Sequence, residues 1–245
     1  CYSGSAGFMM ALHWLASGVR PGKKALVITS DFSRAQLGKE HEFVLGGAGV
    51  ALLLSHQPNV LAVDLEKTGY FTQEVADTFR PTSRIEMGNN QGSLYAYLDA
   101  LEGALAHFLD VQGGDVDFLG GYHKHVYHAP FGGMTFQAHR RVCGHFGMTK
   151  KKDVQEHYDR KVRPQLHYGR QLGSTYSGST FVGLAGMLAS AGDIRGGERI
   201  TVFTYGSGSQ GEFYQATIGD QAVEVNRKKK LDDAIAPRIP LSIDE

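Results

Sequence analysis

Residues 1–65 and 174–225 present the same features in the same order: a helix opened by small residues, a buried strand, a glycine cluster and a strand pair. A chain that repeats one α/β unit this way is most economically a duplicated fold. In the first copy Ser3, Gly4, Ser5, Ala6 and Gly7 are followed by Phe8, Leu12 and Leu15 at helical spacing. Lys24–Ser30 is a continuous apolar run of strand length, which predicts cover on both faces. Gly46–Gly49 leads into a second buried strand ending at Ser55, with Val60–Leu65 expected to form a hairpin with it. In the second copy Gly173–Gly178 precedes an apolar helix over Ser179–Ala191 and a strand over Arg199–Tyr205. Gly206–Ser209 then leads to strands predicted at Phe213–Ile218 and Ala222–Val225.

Within the first copy Ser33–Phe43 reads as a loop, and between the copies Gly69–Gly92 is polar and turn-rich. Ser93–Val111 reads as an amphipathic helix, with Leu94, Tyr97, Leu98, Leu101, Leu105 and Phe108 on one side. Val116–Leu119 is expected to start a strand that runs into a histidine-rich loop, and Met134–Phe146 to form a helix. Lys150–Lys152 is most simply a solvated turn, Val154–Tyr168 is helical up to Pro164, and the tail from Arg227 shows no core face.

The 245 residues carry 25 basic and 25 acidic side chains, a balance that gives no reason to expect nucleic acid or an anionic membrane as partner. Two cysteines, Cys1 and Cys143, make no disulfide framework, so a cytoplasmic location is expected. No apolar run reaches the length of a membrane span, and no signal peptide is visible. A first residue other than Met predicts processing or a fragment.

Cys1 stands where a helix begins, facing the positive end of the dipole and unpaired backbone N–H groups, both of which favour thiolate. A small buried apolar cysteine is the competing reading. His123, His125 and His128 follow a strand, where α/β sheets gather catalytic groups. On an extended segment His123 and His125 share a face and His128 opposes them, and no cysteine or acidic cluster completes a ligand set, so no metal is expected. His128, held before Ala129-Pro130-Phe131, suits a general base or oxyanion donor, whereas His123 and His125 read more simply as solvated. Gly206-Ser207-Gly208-Ser209 could offer backbone N–H groups to an oxyanion or form a plain turn.

Cys1-Tyr2-Ser3-Gly4, Gly46-Gly47-Ala48-Gly49, Asp77-Thr78-Phe79-Arg80-Pro81, His128-Ala129-Pro130-Phe131, Gly173-Ser174-Thr175-Tyr176 and Tyr205-Gly206-Ser207-Gly208 occur in the order seen in HMG-CoA synthases. The chain resembles that family of the thiolase superfamily from Cys1 to about Ile243, and within it the HMG synthases of polyketide β-branching. The resemblance implies a thiolase-like layered αβαβα fold of duplicated α/β units, lacking the first strands of the N-terminal half. Residues 1–66 would be the remainder of that half and 67–245 the C-terminal half, with an insertion at about 67–115. It implies an acyltransferase in which Cys1 takes an acetyl group and the resulting enolate adds to a β-ketoacyl thioester on an acyl carrier protein. His128 would hydrogen-bond the acceptor ketone and the Ser207 N–H would stabilise the oxyanion, with Gly208 and Ser174 positioning. Phe79, Tyr176 and Gly47 would line the substrate. The family's general-base glutamate lies before its cysteine, so Cys1 is expected to be internal to a larger protein whose N-terminal segment is a partner of this chain. A homodimer is expected as well. No tightly bound cofactor is implied, only phosphopantetheine thioesters of carrier protein or coenzyme A.

Two departures from the family pattern bear on this. Ser174 replaces an asparagine that supports the acceptor site, and a hydroxyl reaches less far. Gly132, Gly133 and Met134 stand where the primary-metabolism enzymes carry a lysine for coenzyme A, which favours a carrier-protein thioester. His139, Arg140 and Arg141 could then face the carrier, or form an ordinary basic helix face. Competing readings are an HMG-CoA synthase using coenzyme A, a ketoacyl synthase III-like enzyme, a non-catalytic thiolase-like scaffold and an N-terminal-nucleophile hydrolase.

Overall fold

The computed structural model describes residues 1–32, 38–82, 86–240 and 242. Residues 33–37 of the predicted loop lie outside them, as do 83–85, 241 and 243–245. Among the described residues no helix is long and apolar enough to cross a membrane.

The chain opens with α1 (Tyr2–Ala16), followed by β1 (Ala25–Phe32) and β2 (Gly47–Leu54). Next come β3 (Leu61–Thr72), the short strands β4 (Thr78–Phe79) and β5 (Met87–Gly88), and the long helix α2 (Asn90–Gln112). After α3 (Phe118–Gly121) and β6 (Lys124–Tyr127) stand α4 (Gly132–His145), α5 (Lys151–Lys161), α6 (Leu166–Leu172) and α7 (Ser179–Ser190). β7 (Arg199–Gly206), β8 (Gln210–Ile218), α8 (Ala222–Lys228) and α9 (Leu231–Ile235) complete it.

A four-stranded sheet runs β3-β8-β7-β6, antiparallel except for the parallel β6–β7 pair. One face is covered by α2, α4 and α5, where Tyr97, Leu101 and Phe108 pack with Phe203, Phe213 and Tyr158. Gly69 allows α2 this approach, because a Cβ there would lie 2.3 Å from the Ala104 carbonyl oxygen. On the other face α1 and α7 place Phe8, Phe181 and Met187 against Val126, Val202 and Tyr214, and β2 adds Val50, Leu52 and Leu54 from beyond. Helices α1 and α7 therefore lie between the larger sheet and the β1–β2 pair. That location explains why α7 has no polar side: nine of its 12 residues are buried.

Several expectations need correction. The apolar runs of β1 and β2 are not covered on both faces among the described residues: Leu26, Ile28 and Leu53 are 60, 66 and 66 % exposed, because α1 covers one face only. β2 pairs with β1, not with the strand at Val60–Leu65, which is the start of β3 and joins β8 in the other sheet. Phe118 begins a short helix instead of a strand, and His125 lies within β6, fully buried, not in a solvated loop. Lys151 and Lys152 open α5. Ala222–Val225 is helical, its turns held by Glu224 pairing with Arg227 and Lys228. The duplication thus holds for helix–strand–strand and ends there.

Four buried histidines make stability depend on pH. Burial, reinforced for two of them by neighbouring imidazoles, lowers His125, His139 and His157, and it holds both His128 and His139 at about 3 against an ordinary 6.5. Their native forms stay neutral while the unfolded chain takes up protons below pH 6.5, so stability falls as the pH is lowered through that window. At pH 5 a group shifted this far costs about 2 kcal/mol. Glu212, raised by burial to about 7, acts in the opposite sense between pH 7 and 4.5, but it is one group against four. We expect the urea midpoint to drop by several kcal/mol equivalents between pH 7 and 5. A midpoint that is flat or rises would contradict the neutral-histidine core.

Candidate active site

Cys1 is the N-cap of α1, half-buried, and its side chain makes no capping hydrogen bond. Two close approaches fix its position. A Cβ on Gly206, at the end of β7, would fall 2.5 Å from Tyr2 Cβ and 2.6 Å from the Tyr2 nitrogen. A Cβ on Gly4 would fall 2.4 Å from the Ser177 carbonyl oxygen. The start of α1 is thereby pressed against the β7 end on one side and the Gly173–Gly178 loop on the other, which brings three of the sequence motifs to one place. Gly206→Ala is expected to destabilise the fold by about 1–3 kcal/mol through overpacking and to displace Cys1. Paired thermal melts and alkylation rates of Cys1 check this, and an unchanged alkylation rate would count against the displacement.

His128 follows β6, beside the strand β7 whose Gly206 end abuts the start of α1. Its backbone N–H donates to the Phe203 carbonyl at 2.7 Å, and its own carbonyl accepts from the Tyr97 hydroxyl at 2.8 Å. Thr180 Oγ1, from α7, stands 3.5 Å from Nδ1, where it can donate, and Nε2 is buried without a protein partner among the described residues. Burial keeps His128 neutral. A neutral imidazole accepting on Nδ1 carries its hydrogen on Nε2.

The Gly206–Ser209 turn is anchored from a distance in sequence. Asp77 accepts from the Tyr205 hydroxyl and from the Gly208 N–H, each at 2.8 Å, and is 2 % exposed. The Gly208 N–H, expected to face an oxyanion, is therefore already engaged. Ser207 lies exposed between those two anchors. Ser174 is buried, its N–H donating to the Val44 carbonyl and its carbonyl accepting from Gly46. Gly46, not Gly47, makes the tight approach there: a Cβ on it would lie 1.8 Å from the Leu172 carbonyl oxygen. Gly47 sits exposed at the head of β2, opposite Phe32. Phe79, 50 % exposed, pairs with Met87. Next to Met87, Glu86 accepts from the Tyr176 hydroxyl and from Arg80, so Phe79 and Tyr176 flank one rim.

His139 does not face outward. It is fully buried, whereas Arg140 and Arg141 are exposed and line a groove of about 520 Å³ with Glu102 and His145, away from Cys1. His123 lies against Asp193 and Glu198 and His125 bonds Thr201, so the three histidines close in sequence share no common point. Sequence reasoning missed Thr180, which an apolar helix conceals, and the anchoring role of Asp77, although Asp77 stood inside a recognised motif.

The half-buried thiol begins one of two helices sandwiched between sheets, an arrangement that is a thiolase-like fold. Residues 144–243 match the family model described as hydroxymethylglutaryl-coenzyme A synthase C terminal. The polyketide biosynthesis 3-hydroxy-3-methylglutaryl-ACP synthase PksG of Bacillus subtilis is 32 % identical over the full chain, which covers 60 % of it. The HMG synthase of the curacin biosynthetic pathway superposes with a TM-score of 0.93 at 35 % identity, over all of this chain and 59 % of that one. An HMG-CoA synthase complexed with CoA superposes at 0.84 and 25 % identity, over all of this chain and 61 % of that one. The chain is thus similar to HMG-CoA synthases along its whole length, and its residues 144–243 match that family's C-terminal model. It spans about 60 % of the length of these relatives.

Proposed function

We propose that this chain carries the acyl-accepting and condensing residues of an HMG synthase acting on carrier-protein thioesters in polyketide β-branching. The Cys1 thiolate attacks the carbonyl of an acetyl thioester and the phosphopantetheine thiol leaves, giving acetyl-Cys1. The methyl group loses a proton to a base, and the enolate carbon bonds to the β-carbon of a β-ketoacyl thioester. The ketone oxygen becomes an alkoxide and then a hydroxyl, with His128 Nε2–H donating to it as charge develops. Water finally hydrolyses the Cys1 thioester, freeing the thiol and a carboxylate. The Ser207 N–H stabilises the thioester oxyanion, a donor worth about 3–4 kcal/mol of barrier.

The single observation that carries this reading is the buried, unpartnered Nε2 of a histidine held neutral beside Cys1. Most buried imidazole nitrogens find a partner, and this one leaves an N–H open to a ligand. The carrier-protein version is supported by the solved complex of the curacin HMG synthase with acetyl donor-ACP, 34 % identical at a TM-score of 0.94. Arg140 and Arg141 offer the exposed cations that an acidic carrier would meet. In this reading Phe79, Tyr176, Ser174 and Gly47 serve the acceptor side, and residues 1–66 and 67–245 belong to the two halves of the fold. A homodimer in the cytoplasm completes the proposal.

Presenting the protein with acetyl-carrier protein and acetyl-CoA separately tests it. A mass gain of about 42 Da on the Cys1 peptide is expected from the carrier. No gain from either donor overturns the synthase reading, and a gain from coenzyme A alone overturns the carrier version.

A further inference from the structure

Helix α4 carries His139 and Cys143 one turn apart, so both side chains leave the same face. That face meets α5, which supplies His157. The His139 nitrogen, the Cys143 sulfur and the His157 nitrogen all lie within 4.8 Å of one another, and the three residues are 0, 0 and 5 % exposed. His139 Nε2 is 2.8 Å from His157 Nδ1. Two imidazoles and a thiol form a donor set typical of zinc, which holds nitrogen at about 2.0–2.1 Å and sulfur at about 2.3 Å.

The remote nitrogens are held the way metal-binding histidines are held. His157 Nε2 lies 3.2 Å from the Leu119 carbonyl oxygen, which can only accept, so Nε2 carries the hydrogen and the Nδ1 lone pair faces His139. His139 Nδ1 lies 3.1 Å from the Tyr127 hydroxyl, which can donate or accept. When the hydroxyl donates, His139 Nε2–H donates in turn to His157. When it accepts from Nδ1–H, the lone pair on Nε2 is free and three donors converge. Beside them His125, fully buried, keeps Nε2 without a protein partner among the described residues, its ring centroid 5.5 Å from that of His139.

We propose that His139, Cys143 and His157 form a binding site for a divalent zinc-type cation, distinct from the condensing site, that clamps α4 to α5. Binding replaces the Cys143 proton by a metal–sulfur bond and releases that proton to solvent, while both imidazoles remain neutral. The Lys161 ammonium, donating to the Leu119 and Tyr122 carbonyls, opposes the ion, and the Cys143 thiolate offsets it. Since α4 begins four residues after His128, the clamp braces the segment that delivers the condensing histidine.

The purified protein, stripped with chelator and refolded with zinc or cobalt, provides the test. The wild type should retain about one equivalent after desalting, melt higher with zinc, and show a thiolate-to-cobalt charge-transfer band. Cys143→Ser should remove the band and weaken zinc retention by about tenfold or more, while Cys1→Ala keeps both. His157→Gln, a change on the other helix, should also weaken retention and serves if Cys143→Ser misfolds by circular dichroism. Retention of less than about a tenth of an equivalent of either metal, a band that survives Cys143→Ser, or one lost in Cys1→Ala overturns the proposal.

Discussion

Cys1→Ala abolishes the acetyl adduct and lowers turnover by on the order of 10⁴-fold or more, the scale seen when an enzyme loses its nucleophile. The other thiol cannot substitute. Cys143 is fully buried, and burial pushes its thiol up to about 11, so at neutral pH it is protonated and closed to a bulky acyl donor. Cys1 by contrast is half-buried at the end of a 15-residue helix, with its side chain uncommitted. Intact-mass spectra after exposure to acetyl donor read the result directly. An adduct of equal yield on Cys1→Ala would place acylation elsewhere and remove the chemical basis of the proposed reaction.

His128→Asn should separate the two halves of the reaction. Acetylation of Cys1 persists, because the attacking group and the turn held by Asp77 are untouched. Condensation slows by about 10²–10⁴-fold, the range for a lost acid–base or hydrogen-bonding catalyst. The wild-type condensation step should show no inflection from this histidine between pH 5 and 9, because burial keeps it at about 3 and its neutral form is the donor throughout. Single-turnover measurements starting from preformed acetyl-enzyme isolate this step. If acetylation falls in parallel with condensation, His128 is supporting Cys1 and not the acceptor ketone.

Local pattern carried the reading of this fold a long way where elements are long. The i, i+3, i+4 spacing of Leu94, Leu98, Leu101, Leu105 and Phe108 marks α2, and the unbroken apolar run after Ser179 marks α7. What local pattern cannot hold is pairing across distance. Nothing near Leu61 indicates that its partner is Ile218, so β3 was assigned to the nearer β2. The run Ala222–Val225 is too short to separate strand from helix, and only the charge pairs of Glu224 decide it. Adjacency to Arg140 and Arg141 suggests a surface position for His139. Counted against Thr135, Ala138, Val142 and Cys143, it falls on the buried face of α4, so the helical period contained the answer. Of the site, the motifs alone indicated Cys1, His128 and the Gly206 turn, and the structure presses the Gly206 end of β7 against Tyr2 at the start of the Cys1 helix. The tie from Asp77 to that turn was not legible, since it spans 131 residues.

The β3–β8 register sets when this site comes into being. Leu61 pairs with Ile218 and Thr72 with Gln210, so the central strands of the larger sheet close on each other only after nearly all of the intervening chain is available. Contacts this remote in sequence form slowly, since loop closure precedes the reward of pairing. A nascent chain that has emerged only as far as α7 already holds the nucleophile helix and the histidine, yet lacks β7 and the turn behind Cys1. Synthesis order thus places reactivity last: the thiol precedes the strands that complete its surroundings and is armed at the end.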